Sequence, residues 1–474
     1  MAASKTPQSR EKPPVAAAAV APTPTAGHPP PPASGGTGTA ADVPERPRPP
    51  RMPPKIRAGM GDVVAEMVEV YSDEALRLAT GLVSALADGP GGATDPGPQI
   101  WREIFRGMLR VHRLELRLTA ATATGRLPMA TEVRESMPAP AYELGGLEAA
   151  TIAPLATLTA RDWVVPGHRE GAAALYRGLP LRAYLANVLG NANDRAKGRQ
   201  APGHPVAARA LNVLPASASA STHLPQAAGL AWAAKIKRDD TVVLCYLDAA
   251  ATAGEDFHTG LNFAAVFHVP AVFVCINTVA SVAANGSSTT SASHLGGGVG
   301  LGSETVAVKA LAYGIPGIRV DGGDAVAVFQ VARAAVEAAR RGAGPTLIEA
   351  VTERLARPVW AGPGPGAGSG AGAGPGAGPG AGPGAAPPEA VPEPAFTGDP
   401  MRRLSRWLHE STILAASDQV AWAAEIDAEI DAALAAEIGV SAPSVDTLVE
   451  DVYASPPTAL VEQGADLRRI RRKP

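Results

Sequence analysis

Residues 242–277 read VVLCYLDAAATAGEDFHTGLNFAAVFHVPAVFVCIN, an apolar strand, a loop, a helical stretch and a second apolar strand. Units of this kind leave polar residues at the carboxyl ends of their strands, where a phosphate or a divalent metal can be held. The loops LDAAATAG and INTVAS fall at these two exits. The first, LDAAATAG, carries alanines where a phosphate-and-metal site wants glycine and acid. Asp256 and His258, at the start of the following helix, have the residue types of a proton-transfer pair. An acid in a first helical turn is also adequately explained by the helix dipole. The run GGGVGLG at 296–302 looks like a phosphate-cradling loop, but no strand precedes it and no Lys-Ser/Thr follows. Cys245 and Cys275 lie inside apolar runs and read as buried free thiols of a reducing compartment, not as a disulfide or a metal pair.

These residues need a scaffold. In a chain of 474 residues, 46% hydrophobic, there is ample material for a sizeable core. Much of its 51 Gly and 46 Pro is concentrated in two segments. Between about 160 and 352 the runs VVLCYL, AVFVCIN, GIRVDG and PTLIEAV alternate with helical periods. Continuous rather than alternating apolar strands predict an α/β fold, a parallel sheet covered by helices on both faces. Residues 1–57 are Pro, Ala, Thr and basic, and predict a disordered tail. For 58–99, the spacing of Val64, Met67, Val68 and Tyr71 predicts short helices and then a Gly/Pro linker. The α/β domain covers 100–358, a Gly/Ala/Pro linker 359–396, and a C-terminal helical extension 397–474. Within that extension, Ser417 and Gly439 are expected to cap a helix whose face carries Ile426, Ile430 and Leu434. A net charge of −3 gives no electrostatic case for a nucleic-acid or anionic-membrane partner. No apolar run is long enough to cross a bilayer and no secretory signal is read, so the expected setting is cytoplasmic.

Several stretches, taken in order, resemble one family. YRGLPLRAYLANVLGNANDRAKGRQAPGH is similar to a segment ending in G-K-G-R-Q-x-P-x-H, with Gly198, Arg199, Gln200, Pro202 and His204 matching. THLPQAAGLAWAAK resembles Q-x-P-Q-A-x-G-x-A-x-A-x-K, and AYGIPGIRVDGGD resembles A-Y-G-I-P-G-x-x-V-D-G-x-D. DPMRRLSRWL and VEDVYASPPTAL are similar to C-terminal stretches of the branched-chain type. The family is the alpha subunit of the thiamine-diphosphate-dependent decarboxylase component of 2-oxo acid dehydrogenase complexes. The resemblance runs from about residue 100 to 357 and resumes at 399.

That resemblance implies a thiamine-diphosphate-binding fold and a heterotetramer with a beta subunit. It also implies an acyltransferase core, whose lipoyl domain takes the acyl group after oxidative decarboxylation of a branched-chain 2-oxo acid or pyruvate. In the family an acid in a G-D-G or G-E-G turn and the second asparagine of a pair hold Mg²⁺ on the cofactor's diphosphate. The matching positions here are Ala249 and Thr278, with Asp248 one residue early and Asn277 retained. A family arginine before the asparagine pair is Ile276, while Arg169 matches a second diphosphate-binding arginine and His168 replaces the tyrosine before it. His204 matches a histidine near the substrate. A catalytic histidine pair is replaced by Arg357 and Pro358, and the 296–302 region matches a mobile loop over the cofactor. Ser217 and Thr222 match a segment that helps coordinate K⁺, with His223 in place of a glutamine. Three readings stay open: a subunit impaired in cofactor and metal binding, an active enzyme with Asp248 recruited as ligand, and a non-catalytic assembly or scaffold subunit.

Overall fold

The computed structural model describes residues 56–60, 63–70, 96–123, 145–197, 199–200, 203–204, 209–216, 221–279, 305–353, 399–444 and 446–471. The expected tail up to residue 55, the stretch 71–95, the 296–302 run and the 359–396 linker lie outside these residues.

Among the described residues, seven strands form one sheet in the order β1 (Ile56–Met60), β2 (Val63–Val70), β6 (Gly317–Asp321), β7 (Thr346–Glu353), β5 (Ala271–Val279), β4 (Val243–Asp248) and β3 (Trp163–Val165). β3, β4, β5, β7 and β6 are mutually parallel. The apolar runs are continuous because both faces are covered. On one face Leu244 and Tyr246 of β4, with Val272, Val274 and Ile276 of β5, join a core that reaches α1 (Pro98–Ala123), α4 (Leu181–Leu189) and α7 (Ala325–Arg340). On the other, Val243, Cys245, Leu247, Phe273 and Cys275 pack under α5 (His223–Lys237) and α6 (Glu255–Val266). Each fully buried aliphatic or aromatic side chain in such layers contributes about 1.5–3 kcal/mol. Shorter helices complete the layer around α1 and α4, namely α2 (Glu148–Ile152) and α3 (Ala173–Tyr176). The Tyr246 hydroxyl crosses the first layer and donates to the Thr151 carbonyl at 2.6 Å.

One expectation is overturned at the amino end. Ile56–Met60 (β1) and Val63–Val70 (β2) are not helical but pair as antiparallel strands, and β2 pairs antiparallel with β6. The spacing of Val64, Met67 and Val68 satisfies a helix, but VVAEMVEV is dense in β-branched valine, and a Gly-Asp pair separates the two strands in sequence.

The C-terminal extension is part of the first core. α8 (Pro400–Glu410) starts on Asp399, whose carboxylate accepts from the Met401 N–H at 2.8 Å and the Arg402 N–H. Trp407 meets Trp101 edge-on at 5.2 Å, and Trp101 in turn meets Phe329 of α7 at 5.0 Å. α9 (Ala416–Ile438) lies along α1 and buries Ile426, Ile430 and Leu434, the expected face. Ser417 is not its cap. Ala415 occupies that position without a side-chain bond, and Ser417 falls in the first turn beside Asp418, which pairs with Arg102 at 2.9 Å. α10 (Thr447–Glu450) and α11 (Thr458–Arg471) follow. Among the described residues no helix is long and apolar enough to cross a membrane.

Candidate functional site

The carboxyl ends of β3 and β4 bring together most of the expected residues. β3 ends at Val165, and Gly167, His168, Arg169 and Glu170 pass over the end of β4. The backbone passes closely there: a Cβ on Gly167 would stand 2.6 Å from Glu170 Oε2 and 3.2 Å from the Tyr246 carbonyl oxygen, so any other residue would have to displace the Glu170 carboxylate. His204 stacks on His168 with ring centroids 5.0 Å apart, and its Nε2 hydrogen-bonds the His168 carbonyl. His223, at the start of α5, donates from Nε2 to the Tyr246 carbonyl at 2.6 Å. Asp248 closes β4, and its Oδ1 accepts from the Ala251 N–H at 2.7 Å, fixing the tight turn Ala250–Ala253.

Charge in this cluster is unusual. The Glu170 carboxyl is raised from 4.5 to about 7, by burial first and by the negative charge of Asp248 second, against the pull of Arg169. Burial lowers the His168 imidazole, as do His204 and Arg169, while Asp248 opposes them. Burial also lowers His223, against the hydrogen bond to Tyr246 and the charge of Asp248. The cluster therefore presents a guanidinium, two carboxyl groups and imidazoles that favour their neutral form. An anion approaching Arg169 meets the negative charge of Asp248 as well. Glu170 is the member not singled out in the sequence. The available signal was its place in HREG, an acid between an arginine and a glycine at a strand exit.

Asn277 is not brought into this cluster. The register pairs Asp248 with Ile276, so alternation turns Asn277 to the opposite face, with Cys275. Its Nδ2 donates to Glu349 Oε1 at 2.7 Å, and Glu349, fully buried, takes the Ala307 N–H at 2.8 Å on its other oxygen. Thr278 Oγ1 accepts from Thr352 Oγ1 at 3.3 Å. Ala249 has no side-chain donor atom. One Asp248 oxygen, the Asn277 amide and the Thr278 hydroxyl are thus bonded within the chain, and Asn277 faces away from Asp248. Among the described residues no group of three or more His, Cys, Asp and Glu is placed to hold a metal ion. Mg²⁺ requires several oxygen ligands in near-octahedral array, and the donor set described here does not fit it.

Thr222 precedes α5 and makes no capping bond, while Ser217, Arg357 and Pro358 lie outside the described residues. The Asp256–His258 reading separates. His258 Nδ1 is bonded to the Tyr313 hydroxyl, and His258 lines a surface groove of about 530 Å³ with Asn262, Phe263, Val266 and Phe267. Asp256 stays in the acidic first turn of α6. Cys245 and Cys275 are buried free thiols, with burial raising both well above the usual range.

The fold and this arrangement define an α/β protein of the parallel-sheet class, with its polar cluster at the strand carboxyl ends. Residues 137–357 match the model of the dehydrogenase E1 component family. Over 210 residues the chain is 38% identical to the Arabidopsis thaliana mitochondrial 2-oxoisovalerate dehydrogenase subunit alpha 2, covering 44% of this chain and 42% of the relative. The Homo sapiens mitochondrial 2-oxoisovalerate dehydrogenase subunit alpha is 37% identical over 213 residues, 44% of each chain. The Staphylococcus aureus pyruvate dehydrogenase E1 component subunit alpha is 35% identical over 221 residues, 46% of this chain and 54% of the relative. The matched region therefore spans about half the length, or less, of these curated relatives.

Proposed function

We propose that the chain is an alpha-type subunit of a 2-oxo acid dehydrogenase E1 component, of branched-chain or pyruvate type, impaired in its own hold on Mg²⁺ and thiamine diphosphate. Such a component carries out oxidative decarboxylation of a 2-oxo acid and passes the acyl group to a lipoyl arm. Its beta subunit would complete a heterotetramer, and the lipoyl arm would belong to an acyltransferase core. The family match and the relatives' names support the lineage. The impairment rests on one observation: Asn277 and Thr278 spend their side chains on Glu349 and Thr352, while Ala249 has no ligand to offer. Arg169 and His204 are the residues that would still meet a diphosphate or substrate. The family's K⁺ would have Thr222 and Ser217.

A second reading has its own support. Asp248 places negative charge beside Arg169, where an anionic cofactor would approach, which favours a non-catalytic assembly subunit over an enzyme with Asp248 recruited as metal ligand. Isothermal titration of thiamine diphosphate with Mg²⁺ into the chain, alone and with a candidate beta subunit, tests both readings. The expected result is no saturable binding by the chain alone and, at most, weak binding by the assembly that Arg169→Ala abolishes. Tight Mg²⁺-dependent binding weakened by Asp248→Ala would establish the recruited-ligand enzyme instead.

A further inference from the structure

Glu437, in the last turn of α9, is only 2% exposed, and its partners all belong to the stretch between α4 and His204 or to α4 itself. One carboxylate oxygen accepts from Arg182 Nε at 2.8 Å. The other accepts from Asn191 Nδ2 at 3.1 Å and Asn193 Nδ2 at 3.0 Å. Asn191 Nδ2 also donates to the Glu437 carbonyl at 3.0 Å. Just past the helix, the Ser441 carbonyl accepts from the Ala192 N–H at 2.7 Å. Further on, the Thr447 carbonyl accepts from Arg199 at 2.5 Å, and Asp451 lies 3.8 Å from Lys197 and 3.9 Å from Arg199.

The extension thus grips this stretch twice, at 191–193 and again at Lys197 and Arg199. His204 follows Arg199 by five residues, and a chain that short reaches at most about 18 Å from its anchor. His204 is the residue that stacks on His168 and bonds its carbonyl. Hydrogen bonds to a buried charged group are several times stronger than an exposed ion pair, so the Glu437 end dominates the grip.

We infer that the C-terminal extension positions the His168–His204 pair, and that Glu437 is the positioning residue. The inference rests on reading that pair as part of the ligand-facing site. Glu437 touches neither histidine and acts through the 191–199 stretch. The matched family region ends at residue 357, so the site inside that region is held from outside it.

The test uses the full chain and two readouts that require no bound cofactor. Tryptic cleavage after Arg195, Lys197 and Arg199 is followed by mass spectrometry. The imidazole resonances of His168 and His204, assigned by single replacement, are followed by NMR. In Glu437→Ala, cleavage at these sites should accelerate about tenfold, the loss of roughly one charged hydrogen bond from the local opening equilibrium, and both resonances should shift. Glu437→Gln, which keeps an acceptor for one asparagine, should fall between the two. Asn193 is exposed, so Asn193→Ala reads the same grip without risk to folding and should show a smaller change in the same direction. Wild-type cleavage rates in a folded Glu437→Ala chain overturn the inference. So does a loosened stretch that leaves both imidazole signals in place. A failed cofactor titration changes neither readout, and the two ideas therefore fall separately.

Discussion

Glu170 carries the clearest consequence at the scale of a single residue. Its folded-state carboxyl sits near 7 against an ordinary 4.5, so the folded chain binds the proton more tightly than the unfolded chain does. Its contribution to stability is then fully present below about 4.5 and is lost as the pH rises through about 7. Glu170→Gln keeps the shape and removes the ionisation. Thermal unfolding between pH 4 and pH 8 should show a wild-type decline, on the order of 3 kcal/mol at most, that the variant lacks. Asp248→Asn removes one of the charges raising the group and should move the decline to lower pH. Sequence could not supply this. Asp248 and Arg169 were visible as chemistry, but Glu170 becomes unusual only because the Gly167 turn lays it, buried, over the end of β4 beside Asp248. Asn277 was equally visible, and only the strand register, with Asp248 opposite Ile276, shows that it turns the other way.

At the scale of the element, α1 and α9 are joined by a row of ion pairs. Arg102 meets Asp418, Arg106 meets Glu425, Arg110 meets Glu429, and Arg113 and Arg117 share Asp427. Most of these groups are partly solvated and individually weak. Asp427 is the most enclosed of the acids. The hydrogen bond from Arg113 holds its carboxyl below the ordinary range against the cost of burial. A depressed acid stabilises the fold above its ordinary value of 3.8, and that stabilisation is lost as the pH falls through the folded-state value. Asp427→Asn should cost about 1 kcal/mol at neutral pH and low salt, with the difference shrinking in high salt, as read by thermal unfolding. The helices themselves were legible from their periodic apolar faces, and the four parallel strands read in the sequence were legible from their continuous runs. The β1–β2 hairpin was not. A spacing of three and four residues over valine-rich sequence satisfies helix and strand alike, and pairing with β6 decides between them.

For the whole molecule, the extension and the α/β domain share one core. Met401, Leu404, Leu408, Ile426, Ile430 and Leu434 belong to the same cluster as Trp101, Ile104 and Phe105 of α1. A chain ended before Asp399 should not fold as a shorter domain. It should expose the apolar face of α1, bind a hydrophobic dye and lose its cooperative thermal transition. A truncated chain that unfolds cooperatively near the full-length temperature would show the two parts to be independent.

This shared core also imposes an order in time. α1 ends at Ala123, and α9, which covers it, begins at Ala416. A ribosome adding about 5–20 residues per second leaves the two apart for on the order of tens of seconds. Through that interval a 26-residue amphipathic helix is outside the exit tunnel with its partner not yet made. The sheet can form early around β4 and β5, but the layer over α1 can close only when synthesis is almost finished. Expression of this chain should therefore depend on holdase chaperones far more than its modest strand topology would suggest, and slowing translation near the C-terminus should lower the soluble yield.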